Sequence, residues 1–169
     1  MRIPTFTFAA YSNTGKTTYL EALIPRLKAA GLRVAVVKHD AHDFQIDQLG
    51  KDTWRFAQAG ANAVAIASGS HFALMEYRPA TLEEILGQIR DVDLILTEGY
   101  KSEGYPKIAL FRSDSGKGLA VPADGCFAIV SDVPMEAPCP VFPLDDPTPL
   151  ADYLLKTLKQ TEAHYVDQH

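Results

Sequence analysis

The sequence predicts an α/β fold in three layers, a mainly parallel sheet between helices with an antiparallel hairpin extension. Three observations carry that expectation. Short apolar runs at Thr5 to Ala9, Val34 to Val37 and Leu94 to Thr97 have the form of strands buried on both faces. Helical patterns lie between them: Leu20, Leu23, Ile24 and Leu27 recur at i, i+3, i+4, i+7, the stripe of a helix packed on a sheet. Two further apolar runs, Ala63 to Ala67 and Phe72 to Met75, flank Ser68-Gly69-Ser70 and read as a hairpin.

The remaining elements follow in order. The first helix starts near Lys16, is predicted to kink or split at Pro25, and ends at Gly31, which suits a left-handed C′ position. A strand runs from Arg33 to His39, and the polar stretch from Asp40 to Gly50 reads as a loop. Asp52 is predicted to cap a short helix through Gln58, closed by Gly60. Thr81-Leu82-Glu83-Glu84 has the form of a capping box, so a helix is predicted to about Arg90. Strands follow at Leu94 to Thr97, Lys107 to Phe111, Phe127 to Val130 and Val141 to Phe142, then a helix from Pro149 to Lys159.

A chain of 169 residues fits one domain with a real core. Its expected extent is residues 1–159, with residues 160–169 as a frayed tail. The net charge of −5 speaks against a nucleic-acid binder, which usually carries a basic stripe. No apolar run approaches the ~20 residues of a membrane span, and no signal peptide is recognisable, so a cytoplasmic protein is expected. Cys126 and Cys139 suggest neither a disulfide framework nor a zinc knuckle.

The chemistry concentrates in Ala10-Tyr11-Ser12-Asn13-Thr14-Gly15-Lys16-Thr17, a loop between a strand and a helix. In that setting successive backbone N–H groups cradle a phosphate, aided by the positive end of the helix. Lys16 is expected to reach the β- and γ-phosphates and the Thr17 hydroxyl to sit on Mg²⁺. The fold class becomes that of a P-loop NTPase-type sandwich. One letter departs: Ala10 stands where the pattern has its first glycine.

Ligands in parallel α/β sheets bind beyond the C-terminal strand ends. Residues that follow the strands are therefore expected to converge on the loop: Lys38, His39 and Asp40 after the second, Glu98 and Lys101 after that at Leu94. Glu98 is the first candidate for a magnesium carboxylate and Asp40 the second, with a turn or cap role as the alternative for each. Catalytic candidates are Lys16, Asp40 and Glu98. Nucleotide-binding candidates are Ser12, Asn13, Thr14, Gly15, Lys16, Thr17, Thr18, Lys38, His39 and Lys101. His39-Asp40-Ala41-His42-Asp43 also admits a zinc or nickel site, or a plain solvated loop. Lys51 and Arg55 face either a phosphate or solvent. No Asn-Lys-x-Asp guanine-reading motif occurs; Asp132 is a candidate for that reading or for a turn cap.

Together these residues resemble the molybdopterin-guanine dinucleotide biosynthesis protein B (MobB) family. The resemblance rests on Gly15-Lys16-Thr17-Thr18, Leu23-Ile24-Pro25, Lys38-His39-Asp40, His42-Asp43-Phe44 and Asp47. It continues through Gly50-Lys51-Asp52-Thr53, Arg55, Ala59-Gly60-Ala61, Glu98-Gly99-Tyr100-Lys101 and Pro106-Lys107-Ile108, and fades beyond Arg112. Besides Ala10, Thr53 stands where the family commonly has Ser, and Tyr100 where it has Phe. The resemblance implies a GTP-binding, weakly hydrolysing adapter in molybdenum cofactor assembly. It implies as partner the guanylyltransferase that attaches GMP to molybdopterin, with molybdopterin itself left open as a ligand. It also implies a homodimer whose hairpins pair across subunits. A small-molecule kinase and a metal-delivery GTPase using His39 and His42 are the alternatives.

Overall fold

The computed structural model describes residues 2–40 and 44–166, with side chains through Thr161. In chain order its elements are β1 (Thr5–Ala9), α1 (Lys16–Ala29), β2 (Val34–Lys38), α2 (Asp52–Gln58), β3 (Ala63–Ala67), β4 (Phe72–Glu76), α3 (Leu82–Gln88), β5 (Leu94–Glu98), β6 (Lys107–Phe111), β7 (Cys126–Ser131), β8 (Val141–Pro143) and α4 (Thr148–Val166). They divide between a larger unit, residues 1–39 with 89–169, and a smaller one, residues 40–88.

The larger unit is built on a six-stranded sheet in the order β2-β5-β1-β6-β7-β8, parallel at every pairing. Alternation along each strand sorts its side chains onto two faces. Phe6 and Phe8, Leu94 and Leu96, Ile108 and Leu110, and Ala128 and Val130 meet the stripe Leu20, Leu23, Leu27 of α1 and Leu150, Leu154, Leu158 of α4 in one core. Full burial of such a leucine stabilises by roughly 1.5–3 kcal/mol. The opposite face is buried too and carries Thr5, Thr7, Thr97, Ala109, Ile95 and Ile129, with Thr7 Oγ1 and Thr97 Oγ1 sharing a hydrogen bond of 2.9 Å between β1 and β5.

Three expectations for the larger unit need correction. The helix at Pro25 neither splits nor ends: α1 is continuous from Lys16 to Ala29. The ring removes one backbone bond, while Leu23 and Leu27, both fully buried, anchor the helix on either side of it. The strand β2 is an edge strand rather than one buried on both faces; it pairs with β5 alone, and Val36 is 45% exposed. The last helix runs past Lys159 to Val166; residues 167–169 of the expected tail lie outside the described residues. Gly31 ends α1 with φ +92°, as expected.

In the smaller unit β3 and β4 pair antiparallel in their own two-stranded sheet, with Ala65 opposite Leu74. The capping box is present: the Thr81 N–H donates to Glu84 Oε2 at 2.8 Å and the Glu84 N–H to Thr81 Oγ1 at 3.3 Å. Asp52 is not the cap of α2. Lys51 holds that position, and Asp52 lies in the first turn, where its charge complements the helix dipole. The connection before α2 is tied instead by Asp47, whose Oδ1 accepts from the Thr53 hydroxyl at 2.9 Å. Arg55 is exposed, with Asp52 4.0 Å away.

Candidate functional site

The turn between β1 and α1 is shaped by two residues in the left-handed region, Asn13 at φ +67° and Gly15 at φ +90°. Both residue types tolerate that conformation. Ala10 is buried and is not among the positive-φ residues, so the position does not demand glycine and its methyl group simply joins the core. The Thr14 hydroxyl donates to the Tyr11 carbonyl and closes the loop on itself. Ser12, Asn13, Thr17 and Thr18 are exposed on the loop and the first turn of α1.

Lys16 folds back across this loop. Its ammonium donates to the carbonyls of Ala10 at 3.4 Å and Tyr11 at 3.5 Å and stands 3.9 Å from Glu98 Oε1. Burial pulls the Lys16 ammonium below the ordinary lysine value; Glu98 opposes that pull, and Lys101 and Lys38 add to it. Strand register makes this meeting possible. Glu98 at the end of β5 lies level with Phe8 on β1 and with Lys38 on β2.

The segment after Glu98 is drawn tight. The His39 N–H donates to the Glu98 carbonyl at 2.8 Å. Gly99 has φ +96°, and a Cβ there would lie 2.8 Å from that of His39, so only glycine fits without displacement. Tyr100 follows at φ +42°, its ring 4.9 Å from the His39 imidazole. Lys101 and Lys117 set their ammonium groups 4.9 and 5.5 Å from the centre of the Tyr11 ring. A cationic collar therefore surrounds the loop, in a chain of net charge −5.

Residues 5–132 match the family model of molybdopterin guanine dinucleotide synthesis protein B, MobB. The chain belongs to the MobB family. It is 38% identical to a molybdopterin-guanine dinucleotide biosynthesis adapter protein of Escherichia coli, the alignment covering 94% of this chain and 95% of that one. It is 36% identical to the adapter protein of Haemophilus influenzae, over 90% and 88% of the two chains. A crystal structure of MobB from Bacillus subtilis superposes with a TM-score of 0.74 at 27% identity, covering 91% of this chain and 97% of that one. The P-loop NTPase fold of the family is the fold expected from the sequence.

In this MobB chain the strand-end expectation gathers Lys16, Lys38, His39, Glu98 and Lys101 in the larger unit. Asp40 is exposed and is the first residue of the smaller unit, next to His39 in the chain. His42 and Asp43 lie outside the described residues, among which no group of three or more His, Cys, Asp or Glu side chains is placed to hold a metal ion. Asp132 serves as a cap: its carboxylate accepts from the backbone N–H of Ser113 at 2.8 Å and from its hydroxyl at 2.8 Å. Sequence reasoning overlooked Arg112, whose Nε donates to the Thr14 carbonyl at 3.4 Å. Arg112 directly follows β6, so the strand-end rule carried one strand further finds it. Tyr11 and Lys117 gave no such signal, because their pairing crosses more than a hundred residues of chain.

Proposed function

We propose that this MobB-family chain is a GTP-binding, slowly hydrolysing adapter of molybdopterin guanine dinucleotide synthesis, acting in the cytoplasm beside the guanylyltransferase that attaches GMP to molybdopterin. The observation that carries nucleotide binding is the loop, with its two left-handed residues and Lys16 laid across it. A triphosphate would take the Lys16 ammonium from the carbonyls of Ala10 and Tyr11 and gain Lys38 and Lys101 as further counter-charges. Ser12 through Thr18 would line the phosphates with backbone N–H groups.

The site also suits magnesium. Glu98 is mostly buried, and its nearest described cation, at 3.9 Å, is beyond hydrogen-bond range. Its carboxylate and the Thr17 hydroxyl are the hard oxygen donors such an ion prefers. Bound there, the ion would neutralise charge on the β- and γ-phosphate oxygens. Hydrolysis is slow in this reading because none of the loop and strand-end residues named above is assigned to orient the attacking water, a part that fast phosphoryl transfer needs.

The adapter acts as a homodimer through β3 and β4. Ile66, Phe72 and Leu74 on that two-stranded sheet are 55%, 76% and 52% exposed, more apolar surface than an isolated hairpin tolerates.

Calorimetric titration with GTP and ATP, with and without Mg²⁺, tests the reading. Lys16→Ala is expected to weaken GTP binding by about tenfold to a hundredfold, the worth of one charge-assisted contact. Unchanged affinity would remove the foundation of the proposal, and rapid turnover by the isolated protein would refute slow hydrolysis.

A further inference from the structure

Residues 112–117, which follow β6, hold the phosphate loop at two points. Arg112 makes the first: its Nε donates to the Thr14 carbonyl at 3.4 Å, and its Nη2 lies 3.2 Å from the point a Cβ on Gly15 would occupy. Ser113 is pinned by Asp132 through both its backbone N–H and its hydroxyl. Ser115 closes the turn, its hydroxyl donating to the Arg112 carbonyl at 2.7 Å and accepting from the Lys117 N–H at 3.2 Å. Gly116 redirects the chain at φ +66°. Lys117 then makes the second point, its ammonium 5.5 Å from the centre of the Tyr11 ring. A lysine on a free loop samples many positions, whereas this one is carried by a turn bonded to the phosphate loop itself.

Tyr11 gathers a second ammonium, that of Lys101, 4.9 Å from its ring centre. The ring is 40% exposed, so both cations stand where a ligand can reach them. Among the described residues neither lysine is ion-paired. An aromatic face is a weak partner for an ammonium in water, and each ammonium keeps N–H donors to spare. A phosphate oxygen is a far stronger partner. Two like charges on one ring also repel, and an anion set between them removes that repulsion.

Position selects the phosphate. Lys16 Nζ lies 3.5 Å from the Tyr11 carbonyl and 3.9 Å from Glu98 Oε1. The lysine of such a loop reaches the β- and γ-phosphates, while backbone N–H groups cradle the inner ones. Lys101 follows Glu98 on the same turn of chain, so the Tyr11 ring borders the side of the loop where Lys16 and Glu98 meet. That is the terminal-phosphate end.

We propose that Lys117 is a ligand of the terminal phosphate, that Tyr11 is the positioning residue that holds Lys117 and Lys101 ready for it, and that together they make the chain prefer a nucleoside triphosphate to the diphosphate. The proposal rests on the triphosphate reading of the loop and adds which phosphorylation state the chain distinguishes.

Calorimetry against GTP and GDP, with Mg²⁺, tests it on the wild type and on variants whose folding is verified by circular dichroism. Lys117→Ala is expected to weaken GTP by about tenfold or more and to leave GDP binding as in the wild type. Lys117→Gln repeats the test with the length of the side chain kept. Lys159→Ala removes the same charge from α4 and is expected to alter neither nucleotide. Tyr11→Leu is expected to narrow the ratio of GTP to GDP affinity about threefold, and Tyr11→Phe to retain it. GTP binding unaltered by loss of Lys117 would overturn the proposal, as would equal weakening of GTP and GDP. An equal effect from Lys159→Ala would trace the loss to net charge and overturn it too. A wild-type ratio in Tyr11→Leu, or the same loss in Tyr11→Phe, would remove the positioning role of the ring. A wild type that binds GTP and GDP equally sinks this proposal alone; one that binds neither sinks the loop reading.

Discussion

The two units of the chain solve the burial problem with opposite success. In the larger, Phe8, Leu23, Leu27, Leu94, Leu96 and Leu154 have no measurable exposure, and both faces of the central strands are covered. In the smaller, Val64 and Leu82 are the buried apolar residues among those described, while Phe44, Ile46, Leu49, Phe56, Phe72 and Leu74 stand in solvent. A segment of that length with two short helices and one hairpin has too little volume to enclose its own apolar side chains. The larger unit is thus a self-sufficient scaffold that holds the phosphate loop rigid, and the smaller one is suited to contact with another surface. Stability and association should therefore respond to different mutations.

The largest effect belongs to the scaffold. Leu96→Ala, in the centre of β5, is expected to lower the free energy of unfolding by about 2–5 kcal/mol, read from denaturant melts. A loss below ~1 kcal/mol would mean the sheet core is less tightly packed than its burial indicates.

Leu74→Asp attacks the smaller unit. It is expected to convert the proposed dimer to a monomer in light scattering while shifting the unfolding of the scaffold by no more than ~0.5 kcal/mol. If the variant stays dimeric, association does not run through the hairpin. If the whole chain unfolds, the two units are not energetically separate.

A smaller effect tests the same independence. Thr81→Ala removes the cap of α3 and should cost about 1 kcal/mol locally. Faster hydrogen exchange confined to the α3 amides would sharpen the distinction; faster exchange across β1 and β5 would break it.

The smallest effect concerns pH. Hydrogen bonds from the Arg33 guanidinium and backbone hold the Asp93 carboxyl down to about 2, tying the start of β2 to that of β5. The unfolded carboxyl titrates near an ordinary value of about 4. Because the folded value is the lower one, this contribution is present above about 4 and fades as pH falls toward 2. Wild type and Asp93→Asn should differ in melting temperature near neutral pH and converge in acid. A gap that widened in acid would reverse the sign.

Much of the fold was legible from local pattern. Strand runs, the stripe Leu20 to Leu27, Gly31 and the Thr81–Glu84 box each express a rule confined to a few neighbouring residues. Failures occurred where a distant partner decides. Apolar periodicity cannot separate an edge strand from a central one, so β2 looked buried on both faces. The break expected at Pro25 was overridden by leucines clamped against the sheet. For Asp132 the cap role, one of the two offered by the sequence, is the one observed, through Ser113 nineteen residues earlier.

For the candidate site, the sequence by itself determined the loop, its lysine and the acid at the end of a strand, because that chemistry follows from residue order between a strand and a helix. It also determined the family. Only the tertiary structure decided that Lys16 lies against Glu98, that Tyr11 gathers Lys101 and Lys117, and that Arg112 braces the loop at the Thr14 carbonyl. Those contacts depend on strand order and register, which distribute the ends of β1, β2, β5 and β6 along one edge of a sheet; no local pattern encodes that arrangement.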